Sequence, residues 1–245
     1  MALFVQKPIY WNPKGYKGPA GYHITADSWP KDHGYGHEEW NNDPRLVLKR
    51  SNGEEMRFFH TEAVEIAQEP QYAGQTFVFM MVSYGREQFF VGIAGNAVHL
   101  SASELKEQRL EIAKRLKIDV LKEEAWGLDH VRTIYNNDRK RFLNNWKQDL
   151  SWIPNWVCPE SHYWWFDKPV QISSEKVRGT KRWLSMFGSY TKLSEMNALE
   201  MMNLIPVGQR NSKWQVLYDA MASAARDIET PSELQIDGDE DDTGV

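Results

Sequence analysis

The stretch from Gly74 to Ala97, GQTFVFMMVSYGREQFFVGIAGNA, limits what this chain can fold into more than any other. Two runs rich in Phe, Val, Met and Ile flank the turn-forming Tyr84-Gly85-Arg86-Glu87, and neither run contains proline, so the segment reads as a long β-hairpin. Phe77 to Val82 do not alternate with polar residues, which predicts a strand covered on both faces and central in a sheet. The second strand, Gln88 to Ile93, runs into Gly92-Ile93-Ala94-Gly95, where missing side chains let another backbone or a ligand come close. Taken alone, such a segment is more often only a core hairpin.

A chain of 245 residues with 41% hydrophobic content can bury a sizeable core around that hairpin, as one large domain or two small ones. Eleven Trp are unusual, and a surplus beyond the needs of the core predicts either exposed rings that stack on something flat or oversized core rings. Cys158 is the only cysteine, which excludes an intrachain disulfide and fits a reducing compartment. No run reaches the length of a membrane span, and MALFVQKPIY has neither the basic start nor the apolar core of a signal peptide. The expectation is a soluble, cytoplasmic protein with no membrane partner.

Charge is unevenly spread. The whole chain carries −5, but residues 229–245 hold seven acidic residues and no Lys or Arg, which leaves +2 on residues 1–228. That acidic tail, ETPSELQIDGDEDDTGV, has little to bury and is expected to be disordered. The expected division is one domain over residues 1–228 followed by this tail.

Residues 1–45 combine Trp, Tyr and His with Pro13, Gly15, Gly18, Pro19, Gly21, Pro30, Gly34 and Gly36, which predicts loop with short strands in place of a helix. Trp11, Tyr16, Tyr22, Trp29, Tyr35 and Trp40 either wall a pocket or staple a loop to the core. The densest cluster of chemically able side chains is His33-Gly34-Tyr35-Gly36-His37-Glu38-Glu39-Trp40-Asn41-Asn42. His33 and His37 are four apart, but two intervening glycines argue against the helix that would turn both toward a zinc ion, so neither a metal nor a cofactor is expected. His37 with Glu38 or Glu39 has the makings of a general base, with no nucleophile identified. Asn41 and Asn42 carry the donors and acceptors that read a base edge or cap a turn.

Arg45 to Arg50, a turn at Ser51-Asn52-Gly53 and Met56 to His60 predict a second hairpin. Ser101-Ala102-Ser103-Glu104 has the form of a capping box opening a helix, and a further helix is expected from Leu128 to Trp152. Its outward face carries Arg132, Arg139, Lys140, Arg141 and Lys147, a solvated face or a contact for phosphates. SWIPNWVCPESHYWWFDKPVQIS returns to strand, and Lys176, Arg178, Lys181 and Arg182 gather around Gly179 in a basic turn. Trp183 to Phe187 reads as a strand, and Leu193–Leu204 and Lys213–Ile228 read as closing helices.

The order of these elements resembles that of EVE and YTH domains of the PUA-like superfamily. The residues that carry the resemblance are Gly74, Val91-Gly92-Ile93-Ala94, Trp164-Trp165 and Pro169-Val170-Gln171-Ile172, within an element order spanning roughly residues 1–205. The chain lacks the Trp-x-Gly-Val-Arg-Asn segment of the EVE pattern, and Trp40-Asn41-Asn42 stands in a related place. The helical stretch from about 101 to 150 is longer than the family needs and reads as an insertion. The resemblance implies an α+β fold, a curved β-sheet or small barrel flanked by helices, with a pocket where aromatic rings grip a modified nucleobase. Carried onto this chain, it implies base contacts from Trp11, Trp29, Tyr35, Trp40, Trp164 and Trp165, with Glu39, Asn41 and Asn42 reading the polar edge. Phosphates would fall to Arg132, Arg139, Lys140, Arg141, Lys176, Arg178, Lys181 and Arg182.

Three functions follow as expectations. The first is a reader of a modified base, in DNA in preference to RNA, working by base flipping within a modification-dependent restriction or defence system, with a nuclease subunit as a possible partner. The second is a nuclease or base-modifying hydrolase using His33, His37, Glu38 and Glu39, although no complete nuclease, P-loop or deaminase motif is present. The third is a protein-interaction module whose aromatic loops bind another chain.

Overall fold

The computed structural model describes residues 2–21, 29–62, 64–85, 87–148, 154–181 and 189–224. Its strands are β1 (Leu3–Pro8), β2 (Val47–Lys49), β3 (Glu55–Phe59), β4 (Thr76–Tyr84), β5 (Glu87–His99), β6 (Trp156–Pro159), β7 (Tyr163–Val170) and β8 (Thr191–Lys192). They form one open, mixed, eight-stranded sheet in the order β2-β3-β6-β5-β4-β1-β8, with β7 paired to β5, so the protein is α+β. β1 runs parallel to β4, and the other pairs are antiparallel.

The hairpin is the centre of this sheet, as its composition predicts. β4 and β5 meet across a two-residue turn, and Gly85 takes the positive φ of +63° that the turn requires. Unbroken hydrophobicity in β4 is explained by two cores. Phe77, Phe79 and Met81 face one core, shared with Met201, Met202, Leu217 and Met221, whereas Val78, Met80 and Val82 face another, shared with Val5, Phe59, Trp156 and Tyr163. The first core is closed by α7 (Glu195–Leu204) and α8 (Ser212–Ala224), which seal the hairpin.

β5 is longer than its sequence predicts and runs on through Gly95 to His99. It changes partner on the way: Phe90 to Ala94 pair with β7, and Val98 and His99 pair with β6. The glycines expected to admit a close neighbour do so. A methyl group on Gly92 would sit 3.0 Å from Trp165 Cε3, and one on Gly95 would sit 2.7 Å from Leu217 Cδ2 in α8.

A third core gathers the helices of the middle of the chain: α2 (Lys106–Arg115), α3 (Lys122–Trp126), α4 (Asp129–Ile134) and α5 (Arg139–Gln148). Ile112, Leu121, Val131, Phe142 and Trp146 pack there against Tyr35, Trp40, Met56 and Phe58. Two expectations are corrected in this region. The single helix from Leu128 is two helices, because Asn136 and Asn137 both adopt left-handed φ, +53° and +58°, a conformation asparagine tolerates and an α-helix excludes. The apparent capping box at Ser101–Glu104 does not cap a helix. Ser103–Leu105 is a 3-10 turn without a side-chain cap, and α2 starts only at Lys106.

The second hairpin falls at β2–β3 and the later strands at β6 and β7, as read. The basic turn is a short helix, α6 (Ser174–Arg178), stopped by Gly179 at φ +66°. The predicted strand Trp183–Phe187, Arg182 and the acidic tail lie outside the described residues. β1 is a short strand within residues 1–45, where short strands are expected without placed bounds; all six of its residues are buried, including Gln6 and Lys7. Among the described residues, no helix is long and apolar enough to cross a membrane.

Candidate functional site

Two glycines build the turn that carries the candidate chemistry. The short helix α1 (Trp29–His33) ends at Gly34, whose φ of +84° lets its N–H reach the Pro30 carbonyl at 2.8 Å. A side chain at Gly34 would meet Val131 Cγ2 at 2.9 Å, so this turn is pressed against α4. Gly36 is extended and closely flanked: a methyl group there would lie 3.2 Å from Glu38 Oε2, 3.3 Å from Tyr10 Cδ2 and 3.4 Å from Pro30 Cγ. The chain then tightens into a 3-10 turn, His37–Trp40, whose four side chains are all buried.

Three of the polar groups expected to read a base are engaged inside the protein. Glu39 Oε1 accepts from the Ala20 N–H at 2.8 Å and from Asn12 Nδ2 at 3.2 Å, and its Oε2 accepts from the Gly36 N–H at 3.0 Å. Burial raises the pKa of Glu39 while the Ala20 and Gly36 N–H groups oppose the rise. Asn41 bonds both ways to the backbone of His60, like a strand partner, and Asn42 Nδ2 donates to the Gly15 carbonyl. These residues hold the Asn12–Ala20 loop and the end of β3 to the turn.

The expected ring cage also divides. Trp40 is 0% exposed in the helical core, its Nε1 donating to Glu124 Oε2 at 2.8 Å, and Tyr35 is buried beside it. Trp164 is buried against Phe166 in the core under α7 and α8. Trp164 and Trp165 are consecutive on β7, so they face opposite sides of the sheet. These three rings, Trp40, Tyr35 and Trp164, are scaffold. Trp165 is half-buried on the other face, 4.5 Å from the Tyr16 ring, in the same core that Trp11 borders.

Trp11, Trp29 and Trp165 are thus the partly exposed rings of the set. Trp11 lies 5.0 Å from the Tyr84 ring. Trp29 stacks on His33 at 3.7 Å and lies 4.8 Å from His37. Its Nε1 is buried and has no hydrogen-bond partner among the described residues.

A second orphan sits beside the same turn. Glu38 is 2% exposed, and its Oε1 has no hydrogen-bond partner among the described residues. Its carboxyl receives backbone N–H groups from its own residue and from Tyr10. Burial pushes its pKa up to about 8, opposed by its own N–H and reinforced by the nearby Glu62 and Glu39 carboxylates. From β1, the fully buried Lys7 faces Glu62 and Glu38, and burial lowers its pKa to about 8. Its Nζ donates to the Ser189 carbonyl at 3.4 Å. Sequence reasoning missed Lys7 and Tyr10 here and placed Glu38 only in a hydrolytic role. The available signal was Gln6-Lys7 interrupting an otherwise apolar run.

Three of the four residues of the hydrolytic alternative have other neighbours within the protein. His33 Nδ1 is 2.8 Å from Tyr135 Oη and 3.3 Å from Asn145 Nδ2, His37 lies beside His60, and both oxygens of Glu39 are occupied. Among the described residues, no group of three or more His, Cys, Asp or Glu side chains could share a metal ion.

The basic residues separate into two places. Arg132 is held by Asp129 and the carbonyls of Trp126 and Gly127, and Arg139 donates to both oxygens of Glu123 at 2.7 and 2.8 Å. Lys140 and Arg141 are exposed on α5 and border a recess of about 430 Å³ with His33, Tyr135 and Asn145. Lys176 and Lys181 border another cleft of about 680 Å³, lined also by Gln88 and Ser173, while Arg178 donates to Gln6 Oε1 at 3.4 Å. Arg182 lies outside the described residues.

Comparisons with protein-family models, with curated proteins and with solved structures find no match for this chain.

Proposed function

We propose that this chain is a nucleic-acid-binding module of PUA-like, EVE/YTH-type architecture that receives a modified base, in DNA in preference to RNA, flipped out of its helix. The observation that carries the reading is the pair of enclosed polar atoms, Glu38 Oε1 and Trp29 Nε1, that have no partner among the described residues beside one glycine-built turn. Buried polar groups are almost always satisfied, and a native exception calls for a ligand or a chemical role. Tyr10 and Pro30 both lie close to Gly36 in this turn, and the Trp29 ring lies 4.8 Å from that of His37. The residues behind the family resemblance support the reading as well. Gly92 pairs with Trp165 and Ile93 with Trp164, so Val91–Ala94 and Trp164–Trp165 stand side by side on β5 and β7.

On this reading Trp11, Trp29 and Trp165 supply the stacking surfaces and Glu38 replaces Glu39, Asn41 and Asn42 as the reader of the polar edge. Extruding a base costs a few kcal/mol, and aromatic stacking at about 1–3 kcal/mol per base offsets it. Lys140, Arg141, Lys176 and Lys181 hold phosphates, and α2–α5 are an insertion in the domain. A nuclease subunit would supply any cleavage.

The test is binding to labelled duplexes that differ in a single modified cytosine or adenine. Affinity several-fold higher for the modified duplex is expected. Equal affinity for modified and unmodified duplexes removes the proposal.

A further inference from the structure

Glu38 also narrows which base fits, an inference that rests on the reading just given. One oxygen side of its carboxyl meets backbone N–H donors, from Glu38 itself and Tyr10, while Oε1 meets none among the described residues. An ionised carboxylate shut away from water requires donors on both oxygens, whereas a neutral carboxyl needs them on its carbonyl oxygen alone and turns an O–H outward. The empty Oε1 therefore has the surroundings of a hydroxyl oxygen. We infer that Glu38 meets the base as a hydrogen-bond donor through Oε1, and that the site selects a base presenting a ring nitrogen acceptor, cytosine at N3 or adenine at N1. Thymine, uracil and guanine present an N–H at the corresponding ring position, and two donors then face each other across the contact. Trp29 Nε1, the other orphan, has the same polarity, since an indole N–H only donates.

The groups around Glu38 bear on its proton from each packed element. Glu39 and His37 share its turn, Glu62 follows β3, Tyr16 lies in the Asn12–Ala20 loop, and Lys7 faces it from β1. The carboxylates favour the neutral acid. Lys7 opposes them, but Glu62 is the carboxylate with which it interacts most strongly. With a pKa of about 8, set first by burial, the acid form prevails at neutral pH.

The experiment compares the full chain with Glu38→Gln and Glu38→Leu on duplexes carrying C, A, G or T at one mismatched position, and on their modified C and A counterparts. At pH 7, duplexes with C or A at that position should bind at least tenfold more tightly than those with G or T. Glu38→Gln keeps a donor and should bind within about threefold of the native chain. Glu38→Leu should lose tenfold or more. Native binding should fall as the pH passes 8, and binding by Glu38→Gln should not. Equal loss in Glu38→Gln and Glu38→Leu, or tight binding of G or T, overturns the inference while modified-base discrimination by the native chain leaves the broader proposal standing. A native chain that ignores modification altogether removes both. Should Glu38→Leu not fold, a ¹³C titration of the Glu38 carboxyl in the native chain decides: a midpoint above 7 supports the donor, and one below 6 overturns it.

Discussion

Glu38 and Glu39 are neighbours on one buried turn, yet both oxygens of Glu39 accept hydrogen bonds from the protein while Oε1 of Glu38 accepts none among the described residues. Glu39 ties the turn to its neighbours, and Glu38 is the carboxyl that the proposed reading assigns to the base. That contrast organises the outcomes expected of substitution.

Glu38 makes stability fall with rising pH. Its pKa in the folded chain, about 8, exceeds that of the unfolded chain, so its contribution is fully present below about pH 4.5 and is lost as pH rises through 8. Glu38→Gln removes this dependence and should be more stable than the native chain by roughly 3 kcal/mol at pH 7 to 8. Lys7, lowered to about 8, acts in the next window: its penalty is complete below pH 8 and disappears toward pH 10.5. Urea denaturation at half-unit pH steps measures both slopes. Parallel curves for the native chain and Glu38→Gln would refute the first.

Glu39→Ala removes three accepted hydrogen bonds and releases the Asn12–Ala20 loop from the turn. A loss of about 2–4 kcal/mol is expected, measured by chemical denaturation. Affinity of the folded fraction for a modified duplex should change little compared with Glu38→Leu.

Indole substitutions should separate into two kinds. Trp40→Phe loses the bond to Glu124 and some packing volume, at about 1–3 kcal/mol, without weakening base binding. Trp29→Ala and Trp11→Ala, at half-buried rings, should lower affinity tenfold or more with smaller effects on stability. The reverse pattern in paired denaturation and anisotropy titrations would place the stacking surface elsewhere.

Replacing both Lys140 and Arg141 by Glu should flatten the dependence of log K on log salt by about 2, since each phosphate contact contributes about 0.9 to the slope. Arg139→Ala should leave the slope nearly unchanged, because that guanidinium already faces Glu123.

Gly95→Ala tests the seam between the sheet and α8. Its methyl group would lie 2.7 Å from Leu217 Cδ2 and 3.0 Å from Phe77 Cε1, two fully buried side chains. A loss of about 1–3 kcal/mol is expected from thermal or denaturant unfolding.

How far the sequence reveals this molecule depends on whether a residue's partner is local. The β4–β5 hairpin is legible because its apolar runs and its turn lie within one short segment, and the need for Gly92 and Gly95 follows from strand geometry. β1 is not legible, because Gln6 and Lys7 break its apolar pattern and are satisfied by distant groups, Met201 and Arg178 for Gln6 and Ser189 for Lys7. The break at Asn136–Asn137 was available in residue type but not in hydrophobic spacing, which continues across it. In the candidate site, the sequence marks the turn as dense in polar side chains but does not show that Glu39 is hydrogen-bonded within the protein while Glu38 Oε1 has no partner among the described residues. Which of Glu38 and Glu39 is engaged depends on Asn12 and Ala20, which spacing does not place. Trp164 and Trp165 likewise fall in different cores because consecutive residues of β7 face opposite sides of the sheet.

β1 has no nearby strand to lean on: Phe4 lies opposite Phe77, and Val5 opposite Lys192. Its greasy segment therefore has both flanks only once the chain as far as Lys192 exists, and until then it is open to aggregation or chaperone capture. Slower elongation or lower temperature should raise the soluble yield.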